Sequence, residues 1–428
     1  MTIGNVYPKE RSRGKSKRVL EENAPLLPSS QVGSETLNEF NGASFSGAVF
    51  NLSTTIVGAG IMSLPATMKV LGLVPGIAMI VLFAFLTEAS IELLIRFSRI
   101  GKSIAYGDVM GDSFGKAGRM LLQICVVINN VGVMVVYMII IGDVLSGTSS
   151  SGVHHSGVLE GWFGDHWWNG RFFVLLVTTI LIFAPLASFK RVDSLRYTSA
   201  LSVALAVVFV VITAGIAVLK LLVGSILMPK LFPDIPNLAS IWNLFTAVPV
   251  LVTAFICHYN ATSFFGYLLF GESTLHDVLA NFDANLGIPY SAVLSDVVRV
   301  SYAAHLMLVF PIIFHALRLN LDGLLFSTAR PLYTDNLRFT VTSVALLSLI
   351  FLAANFIPSI WDAFQFTGAT AAVSIGYIFP AAITLRDPHG IGTLRDKLLS
   401  VLMIMLAVLS NGVAIYSDAS SLFNSTTA

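Results

Sequence analysis

The chain contains ten apolar segments, each of about the length that a helix needs to cross a lipid bilayer. They lie at about 43–71, 73–97, 117–145, 171–189, 195–222, 239–260, 290–316, 338–357, 359–385 and 395–418. A crossing helix requires about 20 mostly apolar residues, because the hydrocarbon core is roughly 30 Å thick. A charged-residue content of only 11% and a mean hydropathy of +0.80 exclude a soluble protein of this length. We therefore predict an all-α polytopic membrane protein.

Lysine and arginine are concentrated in a few loops. Six lie in the tail before residue 43, and fourteen more lie at 96–119, 190–196, 318–338 and 386–397, which leaves five of the 25 elsewhere. Short cytoplasmic loops are enriched in these residues. If the tail is cytoplasmic, the loops at 96–119 and 190–196 are cytoplasmic by parity. The two later loops share that side only if the chain crosses once more between residues 260 and 290.

One short apolar stretch, ATSFFGYLLFG at 261–271, is available for that crossing. Its eleven residues would cover about 16 Å as an α-helix, roughly half of the core. The acidic stretch at 272–283 that follows suits the non-cytoplasmic side. The first five segments, 43–222, take 180 residues, whereas the second set, 239–385, takes 147. We predict two repeats of five helices, with the seventh helix truncated, and a final helix at 395–418.

The first apolar segment contains STTIVGAGIMSLP at 53–65, a sequence that weakens a helix in the middle of the membrane. Gly58 and Gly60 favour unwinding. The segment that opens the second repeat is also irregular, since it carries Pro249 and ends in a polar HYN sequence. Non-helical backbone at membrane depth is tolerated where it lines a cavity, and paired interrupted helices indicate a central site. The alternative is a close helix contact packed through glycine.

Several motifs resemble the amino acid/auxin permease family of the amino acid–polyamine–cation superfamily. They are SFSGAVFNLSTTIVGAGIMSLPATMKVLGL at 44–73, INNVGVMVVYMIIIGDVL at 128–145, FGYLLFG at 265–271 and VFPIIFHALR at 309–318. The chain is most similar to the plant vacuolar group related to sodium-coupled neutral amino acid transporters, over about residues 43–418. The resemblance implies five plus five inverted repeats, one further helix and secondary active transport of amino acids. The chain departs from the family after Asn260, where members continue with an acidic loop and a full seventh helix.

The resemblance also implies a substrate site between the first and sixth helices. The substrate α-carboxylate would meet backbone N–H groups of the first helix, beside two hydroxyl side chains. The candidate substrate-binding residues are Thr54, Thr55, Val57, Gly58, Ala59, Gly60, Asn129, Thr253, Phe255 and Cys257.

The candidate ion-coupling residues are Asn51, His258 and His305. Asn51 matches a first-helix asparagine that helps to hold a cation in the family; an interhelical hydrogen bond is the alternative. Both histidines are intramembrane titratable groups, and such groups are functional candidates, although either could be a hydrogen-bonded structural residue. Ala304 occupies the approximate place of the eighth-helix hydroxyl that sodium-coupled relatives use. Because alanine cannot coordinate sodium, we expect proton-linked or facilitative transport.

The two ends of the chain are polar. Residues 1–42 are predicted to form a disordered cytoplasmic tail, and 419–428 a C-terminal tail. Glu22, Leu26 and Leu27 match an acidic dileucine signal for a sorting adaptor, with a plain linker as the alternative. The vacuolar membrane is therefore favoured over the plasma membrane or endoplasmic reticulum.

The sequence offers no catalytic or nucleotide-binding motif and no metal-ligand spacing, so we expect neither an enzyme nor a cofactor. A net charge of +1 gives no indication of nucleic-acid binding. The expected partners are an amino acid, the bilayer and, as coupling ion, a proton. The rival interpretation is a non-transporting amino acid sensor, or an inactive splice product, which the shortened seventh helix favours.

Overall fold

The computed structural model describes residues 49–51, 53–54, 58, 60–103, 105–150, 153–190, 192–226, 229–235, 238–255, 267–283, 286–326, 329–357 and 359–425. All belong to one compact unit, Ala43–Ala428. The predicted tail at 1–42 lies outside them, as do the sorting residues Glu22, Leu26 and Leu27.

The described residues include eleven helices and one β-hairpin, besides short helical stretches at 49–51, 53–54 and 267–270. The helices are α1 Gly60–Leu71, α2 Leu73–Gly101, α3 Tyr106–Ser146, α4 Val158–Phe163, α5 Arg171–Ala187, α6 Arg196–Leu222, α7 Leu238–Phe255, α8 Ser291–Leu325, α9 Asn336–Phe356, α10 Ile360–Arg386 and α11 Leu394–Ser425. Strands β1 Gly147–Ser150 and β2 Val153–Ser156 pair antiparallel, with Thr148 opposite His155. Among these residues seven helices are long and apolar enough to cross a membrane: α2, α3, α6 and α8 to α11. The protein is an all-α multi-pass membrane protein, as predicted.

Helix boundaries differ from the predicted apolar segments in three places. Helix α3 begins at Tyr106, eleven residues before the predicted start, and contains one non-helical residue, Gly115, with φ 67°. Helix α8 continues to Leu325 instead of ending at 316, and α11 continues to Ser425 instead of 418. Hydropathy marks the part of a helix that lipid surrounds, and each of these extensions contains charged or polar residues.

Two later helices start at clear capping residues. The Asp335 side chain accepts a hydrogen bond from the Arg338 backbone N–H (3.1 Å) and caps α9. The Ser359 side chain accepts one from the Trp361 N–H (3.2 Å) and caps α10. Such caps satisfy donors that the first helical turn leaves unpaired.

The four basic loops lie at one end of the molecule, which we call the basic end. Arg96 pairs with Asp396 (2.9 Å), which joins the end of α2 to the start of α11. Arg318 donates to the Ala187 carbonyl (2.8 Å), which joins α8 to the end of α5. One cavity is lined both by the first part of α3, which follows Arg96, and by Asn320 of α8, which follows Arg318. The loop after α2 therefore lies at the same end as the loop after α8. This arrangement agrees with the parity that the charge pattern predicts.

The described residues shortly before α8, 271–283 and 286–290, lie at the opposite end. The Leu73 N–H donates to the Lys230 carbonyl (2.9 Å), so the turn after α1 and the loop before α7 share this end. The Lys69 ammonium donates to the Thr274 carbonyl (3.1 Å) beside the end of α1. Helix α7 therefore leaves this end, and the chain has returned to it by residue 274. The predicted crossing at 261–271 is described only from Tyr267, as a helical turn followed by the 3-10 turn Gly271–Ser273.

Helix α8 lies at the centre of the body, packed against α3 and α6. Its side chains Tyr302, Leu306, Phe310 and Phe314 are fully buried. A helix that is apolar around its whole circumference is enclosed by other helices. This position brings α8 next to the interrupted start of the chain.

Candidate functional site

The first apolar segment is interrupted at its glycine pair. Residues 53–54 are helical, Gly58 is not, and a new helix, α1, begins at Gly60. The Tyr302 hydroxyl of α8 donates a hydrogen bond to the Gly58 carbonyl (2.8 Å), and both partners are buried. The tyrosine thus satisfies a backbone oxygen that the interruption frees from helical bonding. The two glycines lie where the sequence predicted the break.

Ser199 of α6 forms two hydrogen bonds with the helical segment before the break. The Ser199 hydroxyl donates to Asn51 Oδ1 (2.6 Å), and the Thr54 hydroxyl donates to the Ser199 carbonyl (2.9 Å). All three side chains are buried. For Asn51 this geometry is that of the interhelical hydrogen bond, the alternative to a cation ligand. Sequence reasoning did not single out Ser199, because serine is common in membrane helices and its partner is not visible in the sequence.

His305 lies in the same polar cluster. Its Nδ1 is 2.8 Å from the Ser202 hydroxyl, and its ring centre is 5.4 Å from that of Tyr302. Ser202 follows Ser199 by three residues, so both lie on one face of α6. The cluster therefore connects the segment before the break, α6 and α8 through hydrogen bonds between buried groups.

Asn129 of α3 lies outside this polar cluster, near the contact between α3 and α10. It is 9% exposed, and its Oδ1 has no hydrogen-bond partner among the described residues. One turn along, Gly132 contacts Thr367 of α10 closely. Helix α10 then widens into two π-helical turns, Gly368–Ala372 and Ser374–Ile378. Wide turns of this kind occur often at functional sites, and an unpaired amide oxygen beside one is available to a ligand.

The π turns of α10 also bind neighbouring helices through their carbonyl groups. Ser90 of α2 donates to the Gly376 carbonyl (2.5 Å), and Tyr106 of α3 donates to the Ile375 carbonyl (2.9 Å). The sequence did not predict these turns. The pattern GATAAVSIGY has small residues that allow close approach, but no residue type encodes a π turn by itself.

Other predicted site residues are described in part or not at all. Thr253 and Phe255 belong to the helical backbone of α7. Thr55, Val57, Ala59, Cys257 and His258 lie outside the described residues. The structure thus brings together Asn51, Thr54, Gly58, Gly60 and His305, and it adds Tyr302, Ser199 and Ser202.

A multi-pass helical protein with a broken first helix held against a central helix by buried polar groups has the architecture of a membrane carrier. The chain belongs to the transmembrane amino acid transporter protein family, whose model matches residues 41–263 and 259–417. It is 60% identical to amino acid transporter AVT6A of Arabidopsis thaliana, over 98% of both chains. It is also 60% identical to AVT6B and 44% identical to AVT6C of the same plant, over 95% and 93% of this chain and 96% and 98% of those proteins.

The alignments with these relatives have more positions than the part of this chain that they cover. The alignment with AVT6A has 451 positions, and 98% of this chain is about 419 residues, so about 32 positions have no counterpart here. The two parts of the family match meet at residues 259–263, at the junction after Asn260. This is the junction at which the sequence predicts a shortened seventh helix, and that shortening stays a prediction.

Proposed function

We propose that the protein carries amino acids across a membrane by alternating access at a central site between α1 and α7. The observation that carries the proposal is the interruption at Gly58, where the freed carbonyl is held by Tyr302 and a new helix starts at Gly60. The first N–H groups of a helix have no intrahelical partner and carry partial positive charge. They suit the α-carboxylate of an amino acid.

The family relationship supports amino acids as the substrate class, since the similar proteins are named amino acid transporters. Within the proposal, Thr54, Thr55, Val57, Ala59 and Gly60 surround the carboxylate. The further substrate contacts that we propose from the sequence are Asn129, Thr253, Phe255 and Cys257. The membrane is proposed to be vacuolar, with Glu22, Leu26 and Leu27 binding a sorting adaptor.

Coupling to protons, or facilitative transport, is proposed over coupling to sodium. Ala304 provides no hydroxyl ligand on α8. Asn51 Oδ1 already accepts a hydrogen bond from Ser199 (2.6 Å). His305 and His258 are the titratable groups proposed near the site.

The test uses the full chain in liposomes with a radiolabelled mixture of the protein amino acids. We expect binding and uptake that persist when choline replaces sodium. Gly58→Val should abolish binding while the protein still inserts, because a β-branched side chain crowds the site and resists the unwound backbone. The matched control is Gly412→Val, on the exposed face of α11, where an added Cβ meets no atom within 4 Å. Wild-type affinity in Gly58→Val would refute the site, and a large loss of flux in choline would refute the coupling.

The second candidate function is an amino acid sensor that binds without transport. The observation that favours it is the short stretch of sequence available for the predicted crossing between α7 and α8, together with about 32 positions of the alignment with AVT6A that have no counterpart in this chain. Saturable binding with no uptake above that of empty liposomes would support it.

A further inference from the structure

Residues 272–283 form a folded plug at the end of the molecule opposite the basic end. The 3-10 helix Val278–Asp283 buries Val278, Leu279 and Phe282 against α8, α1 and α3. Asn281 closes the segment on itself: its side chain accepts from the Leu275 N–H (2.9 Å) and donates to the Ser273 carbonyl (2.8 Å). The plug is therefore a compact unit held together by its own hydrogen bonds.

Hinge positions and cavities border the plug. Gly271 and Gly287 flank it with φ of 50° and 67°, and an added Cβ at either would meet no atom within 4 Å. Glycine adopts such backbone angles without steric cost, and hinges are commonly placed at a few such positions. A cavity of 390 Å³ lies on one side, lined by Lys69, Glu272 and His276 among others. A cavity of 570 Å³ lies on the other, beside Phe282 and Asp283.

Asp277, inside the plug, is a buried carboxylate with one unpaired oxygen. The residue is 5% exposed. Its Oδ1 accepts a hydrogen bond from the Leu279 N–H (2.9 Å), whereas Oδ2 has no partner among the described residues. In this position Oδ2 has lost its hydration without gaining a hydrogen-bond partner. Burial of this kind disfavours the ionised carboxylate and favours the neutral carboxylic acid.

The charged groups around Asp277 do not supply a dedicated counter-ion. From α3, Asp143 adds negative charge, but it is paired with Arg171 of α5. From α8, Arg299 donates to the carbonyls of Ser156 (2.6 Å) and Val144 (3.4 Å). The other charged or titratable groups near the plug have partners of their own. Asp296 accepts a hydrogen bond from Trp162, His155 of β2 lies 2.8 Å from Asp283, and His154 pairs with Glu160. Lys69 of α1 donates a hydrogen bond to the Thr274 carbonyl, and Glu272 pairs with Lys230.

Asp296 and Arg299, three residues apart on α8, thus bind different partners. The pKa of Asp277 is raised to about 7, mainly by burial and also by the negative charge of Asp143, while the Leu279 N–H and Arg299 act in the opposite direction. Burial lowers the pKa of the neighbouring His276, which stacks on Trp361. Burial thus disfavours the charged form of the imidazole next to Asp277.

We propose that Asp277 is a proton-binding site that holds the plug in place when it is protonated and favours its release when it is ionised. The inference deepens the proposed function, because it makes plug release the step at which the pH on that side of the membrane acts on the carrier. The proton arrives from, and leaves to, water in the adjoining cavities.

The direction of the pH dependence follows from linkage. In the released plug, Asp277 is solvated and has an ordinary pKa near 3.9. In the docked plug its pKa is higher, so the docked form binds the proton more tightly. Docking is most favourable in acid, weakens as pH rises through the interval between these two pKa values, and is constant above it.

The test measures access to the plug in the full chain in lipid nanodiscs. Ala280→Cys places a thiol at a position that is 7% exposed inside the plug. Its maleimide labelling rate is divided by that of Ser225→Cys, an exposed position at the same end, to remove the intrinsic pH dependence of thiols. Labelling of the native cysteines in the unsubstituted chain is subtracted. We expect the ratio to rise on the order of tenfold or more between pH 5 and pH 8.

Asp277→Asn keeps the acceptor for the Leu279 N–H and is neutral at every pH. It should hold the labelling ratio low at both pH values. The matched control, Asp234→Asn, changes an exposed acid at the same end and should leave the rise intact. A ratio that does not change with pH in the chain carrying Asp277, or a rise that persists in Asp277→Asn, would overturn the proposal. Since no amino acid is present, a failure of transport leaves this result unaffected and the two proposals are separable.

Discussion

At the scale of single residues, the hydrogen bond from Tyr302 to the Gly58 carbonyl links the break in the first segment to the central helix α8. Tyr302→Phe removes the hydroxyl and leaves a buried carbonyl without its donor. A lost hydrogen bond of this kind costs about 1 kcal/mol or more, so amino acid affinity should fall about three- to tenfold. Binding of labelled amino acid to the purified protein measures the change.

Tyr377→Phe is the control for that substitution. Tyr377 is also buried, and its hydroxyl lies 2.7 Å from that of Thr87, away from the break. We expect its binding affinity to stay at the wild-type value. Equal losses in the two variants would show that the effect comes from general packing and not from the site.

The sequence predicted polar residues of the site where they interrupt an apolar run. Asn51, Asn129 and the glycine pair stand out in this way, and each lies where a buried polar or non-helical group is found. Ser199 could not be identified, because its role depends on a partner 148 positions away. The sequence placed Asp277 in an acidic stretch that suits the non-cytoplasmic side, and composition does not show that such a short stretch folds inward.

At the scale of elements, α3 and α10 approach each other closely at Gly132. A Cβ there would lie 2.7 Å from Thr367 Cγ2 and 3.0 Å from its Cβ, and would overlap its hydroxyl. Gly132→Ala should therefore force the helices apart and destabilise the protein by about 1–3 kcal/mol. The measurement is a lower Tm of the detergent-purified protein, followed by size-exclusion chromatography after heating.

Gly215→Ala tests whether the effect is specific to that contact. Gly215 lies within α6, and an added Cβ there meets no atom within 4 Å. Alanine is the better helix former, so its Tm should be unchanged or slightly higher. A Tm for Gly132→Ala equal to that of Gly215→Ala would contradict the close packing of α3 on α10.

The helices themselves were largely predictable, because the length of an apolar run is set by bilayer thickness. Polar extensions were not: the start of α3 at Tyr106 and the end of α8 at Leu325 lie beyond the apolar core. There, helix formation depends on contacts such as that between Arg338 and Asp322 (3.1 Å) instead of on burial in lipid. The β-hairpin after α3 carries no distinct strand pattern, since GTSSSGVHHS is polar throughout.

At the scale of the whole molecule, charge counting gave the topology that the contacts support. Each basic loop contacts another at one end, and the plug lies at the other. Charge counting succeeds because transfer of lysine or arginine across a membrane is disfavoured whatever the local fold. It also predicts the shortened crossing, because the charge pattern requires an odd number of helices where the sequence is too short for one of them.

The shortened crossing leads to the final prediction. Between Phe255 and Tyr267 the chain has eleven residues, which cover about 16 Å as an α-helix, short of the roughly 30 Å core. Inserting the segment that AVT6A has at this junction, about 32 residues, should provide a full seventh helix and increase amino acid flux in liposomes. A glycine–serine insert of equal length is the control, because it adds length without an apolar helix, and it should not increase flux.

Topology must stay fixed for that comparison to be meaningful. A cysteine at Tyr333, which is 48% exposed in the loop before α9, should react from the same side of the membrane with and without the insert. If Tyr333→Cys changes sides, the basic loops do not determine the orientation of the second repeat. If flux is equal in the chain with and without the AVT6A segment, the inserted residues do not limit transport. The eleven-residue connection must then complete the carrier by a path other than a membrane-spanning helix.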